Sequence, residues 1–173
     1  GEVERVEMAR DDIYESGVHQ VDLCSYFAGD APAEWVIGQV DYREEHLRNG
    51  VHITDQAIGH WEYENGVHGL ASTGVGSEAV GPLNRVRGTD GVLEFDWGGT
   101  RVRRAGGDWE SVDGEIGDPL PAAVEHVVDC LETGEESLLS ARRALNSTEV
   151  VYGVFESSRR RGRVDCPLDI EDN

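Results

Sequence analysis

The chain has no lysine. All 15 of its basic residues are arginine, and they face 35 Asp and Glu, for a formal net charge of -20. Two kinds of chemistry are thereby excluded from these residues: a phosphate loop of the G-x-x-x-x-G-K-[ST] type, and any Schiff-base or other catalytic lysine. Self-repulsion at this charge density also argues against nucleic acid or an anionic membrane as a partner. Apolar runs are short, and none approaches the roughly 18 residues of a membrane span. The first residues, Gly1 to Arg5, have neither a basic start nor an apolar stretch, so no signal peptide is expected there. Cys24, Cys130 and Cys166 are an odd number at wide spacing, without a C-x-x-C pair. They predict idle thiols in a reducing cytoplasm and not a disulfide scaffold.

What remains is a polar globular composition, with 38% hydrophobic and 29% charged residues among 173. That length suits one domain over 1–173. The acids are scattered among apolar periodic segments instead of forming a tail. A folded chain adapted to high salt therefore fits better than a disordered one, because salt near 1 M screens repulsion within about 3 Å.

The periodicity predicts an α+β fold. Val3, Val6 and Met8 read as a first strand. Val18, Val21, Cys24 and Phe27 recur at helical spacing over 17–28, ahead of Gly29. Glu34 to Arg43 reads as a strand with Trp35, Ile37, Gln39 and Asp41 on one side. Glu44 to Asp55 reads as a loop. Asn65-Gly66, between Ile58–Glu64 and Val67–Thr73, predicts a hairpin with a type I′ turn. Further strands are expected at 84–88, 91–97, 100–104 and 108–112. A helix should follow Asp118-Pro119, with Leu120, Val124, Val127, Val128 and Leu131 on its buried stripe and Gly134 as its stop. Ser140 should cap a last helix, 141–161, that buries Leu145, Val150 or Val151, Val154 and Phe155. Arg163 to Leu168 follows as an edge strand or tail. The expected architecture is a large, mainly antiparallel open sheet with three helices on one face.

No cofactor motif is legible. Gly74-Val75-Gly76 starts a G-x-G pattern, but the third glycine is misplaced and no helix follows. His52, His60 and His68 recur every eight residues, and His60 and His68 flank the hairpin turn. A metal would need a third ligand such as Glu62 or Glu64. Sheet-surface imidazoles are the simpler reading, and no metal is expected. His46 lies in a polar loop, and His126 reads as a solvated helix residue.

His19 differs. It falls in the first turn of the first helix, with Glu15 four residues before it and Asp22 three after. Whether the helix includes Glu15 or begins near Gly17, the carboxylate can orient and charge-tune the imidazole, as in acid/base pairs. A surface ion pair at a helix start is the alternative reading of the same spacing.

The segment Tyr14-Glu15-Ser16-Gly17-Val18-His19-Gln20-Val21-Asp22-Leu23 carries an acid-x-small-x-His pattern at a helix start that is similar to the signature of the C-terminal domain in the Gfo/Idh/MocA family of NAD(P)-dependent oxidoreductases. Tyr63-Glu64-Asn65-Gly66-Val67 resembles its Y-x-N-G hairpin, and 86–95, around Gly88-Thr89-Asp90-Gly91, its G-T-x-G turn. Val127 to Gly134 resembles a helix end, with valine in place of the family's phenylalanine. Residues 141–157 with Gly162-Arg163-Val164 resemble the closing helix and strand.

The resemblance implies a substrate-binding and oligomerisation domain for an enzyme acting on a sugar, inositol or other polyol hydroxyl. His19 is implied as the catalytic base or its neighbour, and Glu15 as the family's acid, usually aspartate. NAD or NADP would be bound by a separate Rossmann domain, in cis or in trans, which also carries the family lysine. This chain alone is then expected to bind no cofactor and to complete no hydride transfer. Self-association through the sheet face is implied as well. The alternative is a standalone, non-catalytic binding or oligomerisation module of the same fold. A metal- or ligand-binding β protein outside the family is the third reading.

Overall fold

The computed structural model describes residues 1–74, 81–96, 98–114 and 117–169. Strand β1 (Val3–Arg10) leads into α1 (Val18–Phe27) and β2 (Ala33–Asp41). Next come a small hairpin, β3 (Leu47–Arg48) and β4 (Val51–His52), and the long pair β5 (Gln56–Tyr63) and β6 (His68–Gly74). β7 (Asn84–Gly88), β8 (Gly91–Asp96), β9 (Gly99–Arg104) and β10 (Trp109–Val112) form a meander. α2 (Pro119–Thr133), α3 (Ala141–Arg160) and β11 (Val164–Asp165) complete the chain. The main sheet runs β10-β9-β8-β7-β1-β6-β5-β2-β11. The predicted antiparallel sheet has one exception: β1 and β6 pair in parallel near its centre. The α+β architecture is the expected one.

α1 and α3 cover one face. Val6, Val21, Val36, Trp61, Tyr63, Val150 and Val154 make the core between them and the sheet, each fully buried. Glycines let α3 sit close on the sheet. A Cβ on Gly153 would lie 2.7 Å from the Val36 side chain, and one on Gly38 2.7 Å from that of Val154. β11 and the following Cys166 amide cover Glu34, Trp35 and Val36 of the edge strand β2. Beyond it, Ser157 and Ser158 of α3 accept from the Gly38 and Val40 amides at 2.8 and 3.1 Å. These hydroxyls satisfy a strand edge that would otherwise invite pairing.

Several expectations are corrected. The loop expected over 44–55 contains the β3–β4 hairpin, whose Asn49 and Gly50 both take positive φ, 52° and 80°. The Asn65-Gly66 hairpin forms, but only Gly66 has positive φ, so its turn is not type I′. There Asn65 donates to the Ala28 carbonyl at 2.7 Å and accepts from the Val67 amide at 3.2 Å, and these bonds fix a longer loop. On α2 most of the apolar stripe is not buried: Leu120, Val124, Val128 and Leu131 stand exposed, Val127 is half-buried, and Cys130 alone of the helix is buried. Leu145 of α3 is exposed too, while Val150, Val151 and Val154 are buried as expected. Val75, Gly76 and Trp97 lie outside the described residues. Burial pushes the thiols of Cys24 and Cys166 up to about 12, which keeps both inert near neutrality.

Among the described residues, no helix packs on the other sheet face. Arg5, Arg85, Arg87, Arg101 and Arg103 share it, a concentration of positive charge in an acidic chain. Glu94, only 3% exposed, sits between Arg85 and Arg101, which donate to it at 2.7 Å each. Burial alone would raise its pKa, but the two guanidiniums outweigh burial and hold its carboxyl below the usual value of 4.5. A depressed folded pKa stabilises above the unfolded value and is lost as pH falls through the folded one. Urea midpoints of wild type should therefore drop as pH falls below about 4.5, whereas Glu94→Gln should start from a lower plateau and fall less steeply. Parallel slopes for the two proteins would show that Glu94 does not carry this acid dependence.

Candidate active site

The candidate site lies where β1 hands over to α1. The intervening segment, residues 11–17, is tied into a knot by one side chain. Asp12 is fully buried, and its carboxylate accepts from the backbone amides of Tyr14, Glu15 and Ser16 at 2.7, 2.8 and 3.2 Å. The Ser16 hydroxyl lies 2.9 Å from Asp12 Oδ2 and 2.8 Å from Asp11 Oδ1. Aspartate favours such turns because its short carboxylate reaches amides two to four residues ahead. Gly17 closes the knot by close approach: a Cβ there would fall 2.3 Å from the Asp12 carbonyl oxygen.

A second element reaches into this segment. Arg48, at the β3–β4 turn, donates to Asp11 Oδ2 at 2.7 Å and to Glu15 Oε2 at 3.2 Å. Asn49 donates to Glu15 Oε1 at 2.9 Å. Burial would raise the Asp11 pKa, but the Ser16 hydroxyl and the Arg48 guanidinium outweigh it and hold the carboxyl below its usual range. Arg48 thus clamps two carboxylates that come from a sequence stretch more than thirty residues away.

His19 is the second residue of α1 and is exposed. Among the described residues it takes part in no side-chain hydrogen bond or ion pair. The structure therefore puts Glu15 and His19 at the same junction but does not couple them directly. Glu15 lies in the turn before the helix, with both its oxygens committed to Arg48 and Asn49. Asp22, the other acid near His19, accepts instead from Ser147 of α3 at 2.9 Å and ties the two helices together.

The sequence reading missed Asp11, Asp12, Arg48 and Asn49. Asn49-Gly50 was a legible hairpin signal of the same kind as Asn65-Gly66. Nothing local, however, could announce that the turn reaches Glu15. Chemically, the junction offers an exposed imidazole with no side-chain partner among the described residues, and, in the turn before it, two carboxylates clamped by a guanidinium and an amide.

Comparison with known proteins agrees with this fold. Three solved structures illustrate the likeness. An oxidoreductase domain protein from Kribbella flavida is 17% identical with a TM-score of 0.77, over 97% of this chain and 59% of that one. The aldose-aldose oxidoreductase of Caulobacter crescentus, solved with glycerol, is 17% identical with a TM-score of 0.76, over 95% and 56%. An oxidoreductase from Agrobacterium radiobacter, solved with NAD+, L-tartaric acid and magnesium, is 17% identical with a TM-score of 0.71, over 95% and 57%. At such identity the likeness is one of fold. The chain spans less than three fifths of the length of each. No curated protein matches it. The sequence profile of the oxidoreductase family's C-terminal α/β domain matches residues 13–166, nearly the whole chain, and with the fold and the helix-start histidine in place, the chain belongs to the Gfo/Idh/MocA family as its C-terminal domain.

Proposed function

We propose that this chain is the substrate-binding half of an NAD(P)-dependent oxidoreductase that acts on a hydroxyl of a sugar, inositol or other polyol. The observation that carries the reading is His19: an exposed imidazole in the first turn of α1, without a side-chain partner among the described residues, just after the clamped turn that holds Glu15. A ring tied to another side chain could not meet a substrate hydroxyl without first giving up that bond.

In this reading His19 takes the proton of the reacting hydroxyl as general base. Glu15 acts at one remove. Held by Arg48 and Asn49, it fixes the turn from which α1 and its imidazole start. Arg48 keeps unused N–H donors, and a diol can bridge them. The nucleotide cofactor falls to a separate domain, in cis or in trans. Self-association through the open sheet face, where Ile37 and Ile58 stand 45% and 66% exposed, belongs to the same reading.

The test is a polyol screen of the chain joined to or mixed with its nucleotide-binding domain, followed by NAD(P)H absorbance. Activity on at least one polyol is expected. His19→Ala should lower kcat about 10²–10⁴-fold, the usual contribution of a positioned base. Full activity in that variant would remove His19 from the chemistry. Unchanged inactivity toward every polyol, with cofactor shown to be bound, would favour a non-catalytic module.

A further inference from the structure

The open sheet face brings together two histidines that the site above does not use. His60 of β5 and His68 of β6 lie diagonally across an antiparallel pair, with His60 opposite Leu70 and Glu62 opposite His68. Their rings converge until His60 Nε2 and His68 Nδ1 are 3.2 Å apart. Two nitrogens that bind one tetrahedral ion at about 2.0–2.1 Å stand about 3.3 Å apart. The pair therefore already holds the separation that chelation requires. Each ring needs only to tilt about χ2, a soft torsion for histidine, to aim both lone pairs at a common point.

The surroundings favour ligation over a plain hydrogen bond. Trp35 stands edge-on to His60, with centroids 5.0 Å apart, and its Nε1 donates to Glu62 Oε2 at 2.8 Å. Its indole packs edge-on against the His60 ring. Burial, helped by the neighbouring His68 and opposed by Glu62, holds His60 below the ordinary imidazole range. The Glu62 carboxylate brings negative charge into the same patch. No group of three or more potential ligands converges among the described residues, so the remaining coordination positions would belong to water.

We propose that His60 and His68 form a two-imidazole chelate site for a borderline divalent cation, Cu²⁺, Ni²⁺ or Zn²⁺, on the open face of the sheet. Binding conserves protons. The hydrogen between the rings moves to the far nitrogen of the ring that carried it, and both facing nitrogens then donate to the ion. Imidazole donors select these ions over Mg²⁺ and Ca²⁺, and Cu²⁺ should bind tightest. The site is independent of His19 and of the activity proposed above. Two rings of one chain suffice, so one ion per chain is expected in a monomer or an oligomer.

The experiment is titration of the whole chain with Cu²⁺, Ni²⁺, Zn²⁺ and Mg²⁺ salts in a non-coordinating buffer, read by tryptophan fluorescence and by bound metal after desalting. Saturable Cu²⁺ uptake of one ion per chain is expected. It should quench part of the emission, because Trp35 adjoins the ligands, and Mg²⁺ should do nothing. His60→Gln and His68→Gln should each weaken Cu²⁺ binding about tenfold or more, since each removes a whole ligand. Both lie on the sheet face away from the helix-covered core, so circular dichroism should be unchanged. Trp35→Phe should retain the bound ion and lose the quenching. Uptake that persists in the double His60→Gln, His68→Gln variant, at His46 or His52 for example, would overturn the proposal, as would absence of saturable uptake by the wild type.

Discussion

Replacing Asp12 with alanine is expected to lower the melting temperature by about 8–15 °C and to abolish any activity that depends on His19. Asp12 is fully buried and accepts from three consecutive backbone amides and lies beside the Ser16 hydroxyl. Alanine removes the acceptor and leaves those donors in place. Each orphaned buried donor costs about 1–3 kcal/mol, and water entering the vacated space recovers part of it, so a net loss of about 3–5 kcal/mol follows. For a chain of this size each kcal/mol moves the midpoint by about 2–4 °C. The functional consequence is local. Without the knot, nothing fixes Glu15 against Arg48 or sets the direction in which α1 begins. Asp12→Asn is the informative partner, because its one remaining carbonyl oxygen can still accept from the turn. Thermal unfolding of the two variants should rank wild type above asparagine and asparagine above alanine. Equal melting of alanine and wild type would mean that backbone and solvent alone hold the segment.

Gly69→Ala should be nearly as damaging, from the opposite cause. Gly69 lies in β6 directly over the Trp61 indole, and a Cβ there would stand 1.9 Å from Trp61 Cε2. Trp61 is fully buried, so the ring has no open space into which to swing. Overpacking of this kind costs about 1–3 kcal/mol, and a clash with an immobile ring belongs at or above the top of that range. Chemical denaturation should show a lowered midpoint, with Gly69→Val lower still. The mechanism has its own control. Trp61→Leu opens a cavity and is destabilising alone, yet combined with Gly69→Ala it should restore part of the loss, because the new methyl enters the space left by the ring. Strictly additive losses in the double variant would show that the two residues do not compete for one volume.

The histidine at the helix start was legible because its motif is local. Tyr14 to Leu23 carries its small residue, its histidine and its acid within one stretch, and the helix indeed begins at Val18. Strand positions were legible for the same reason, since alternation and Gly-rich turns act over a few residues. Where a turn depended on distant partners the reading failed. Asn65-Gly66 lost its type I′ turn because Asn65 was recruited by the Ala28 carbonyl. Asn49-Gly50, set in a polar stretch without apolar alternation, carried the same signal and took the positive φ values instead. The stripe on α2 had the correct period, but a period shows only that a helix has an apolar side, not that this chain covers it.

The sequence by itself determined the chemistry that is excluded, the fold class and the position of His19, because each follows from composition or from neighbours in the chain. Only the tertiary structure decided the company the site keeps. It gave Glu15 to Arg48 and Asn49 and not to His19, placed Gly69 on Trp61, and brought His60 to within 3.2 Å of His68. These are encounters between separate strands and turns. They are set by sheet register and by which face the helices cover, and no local propensity encodes either.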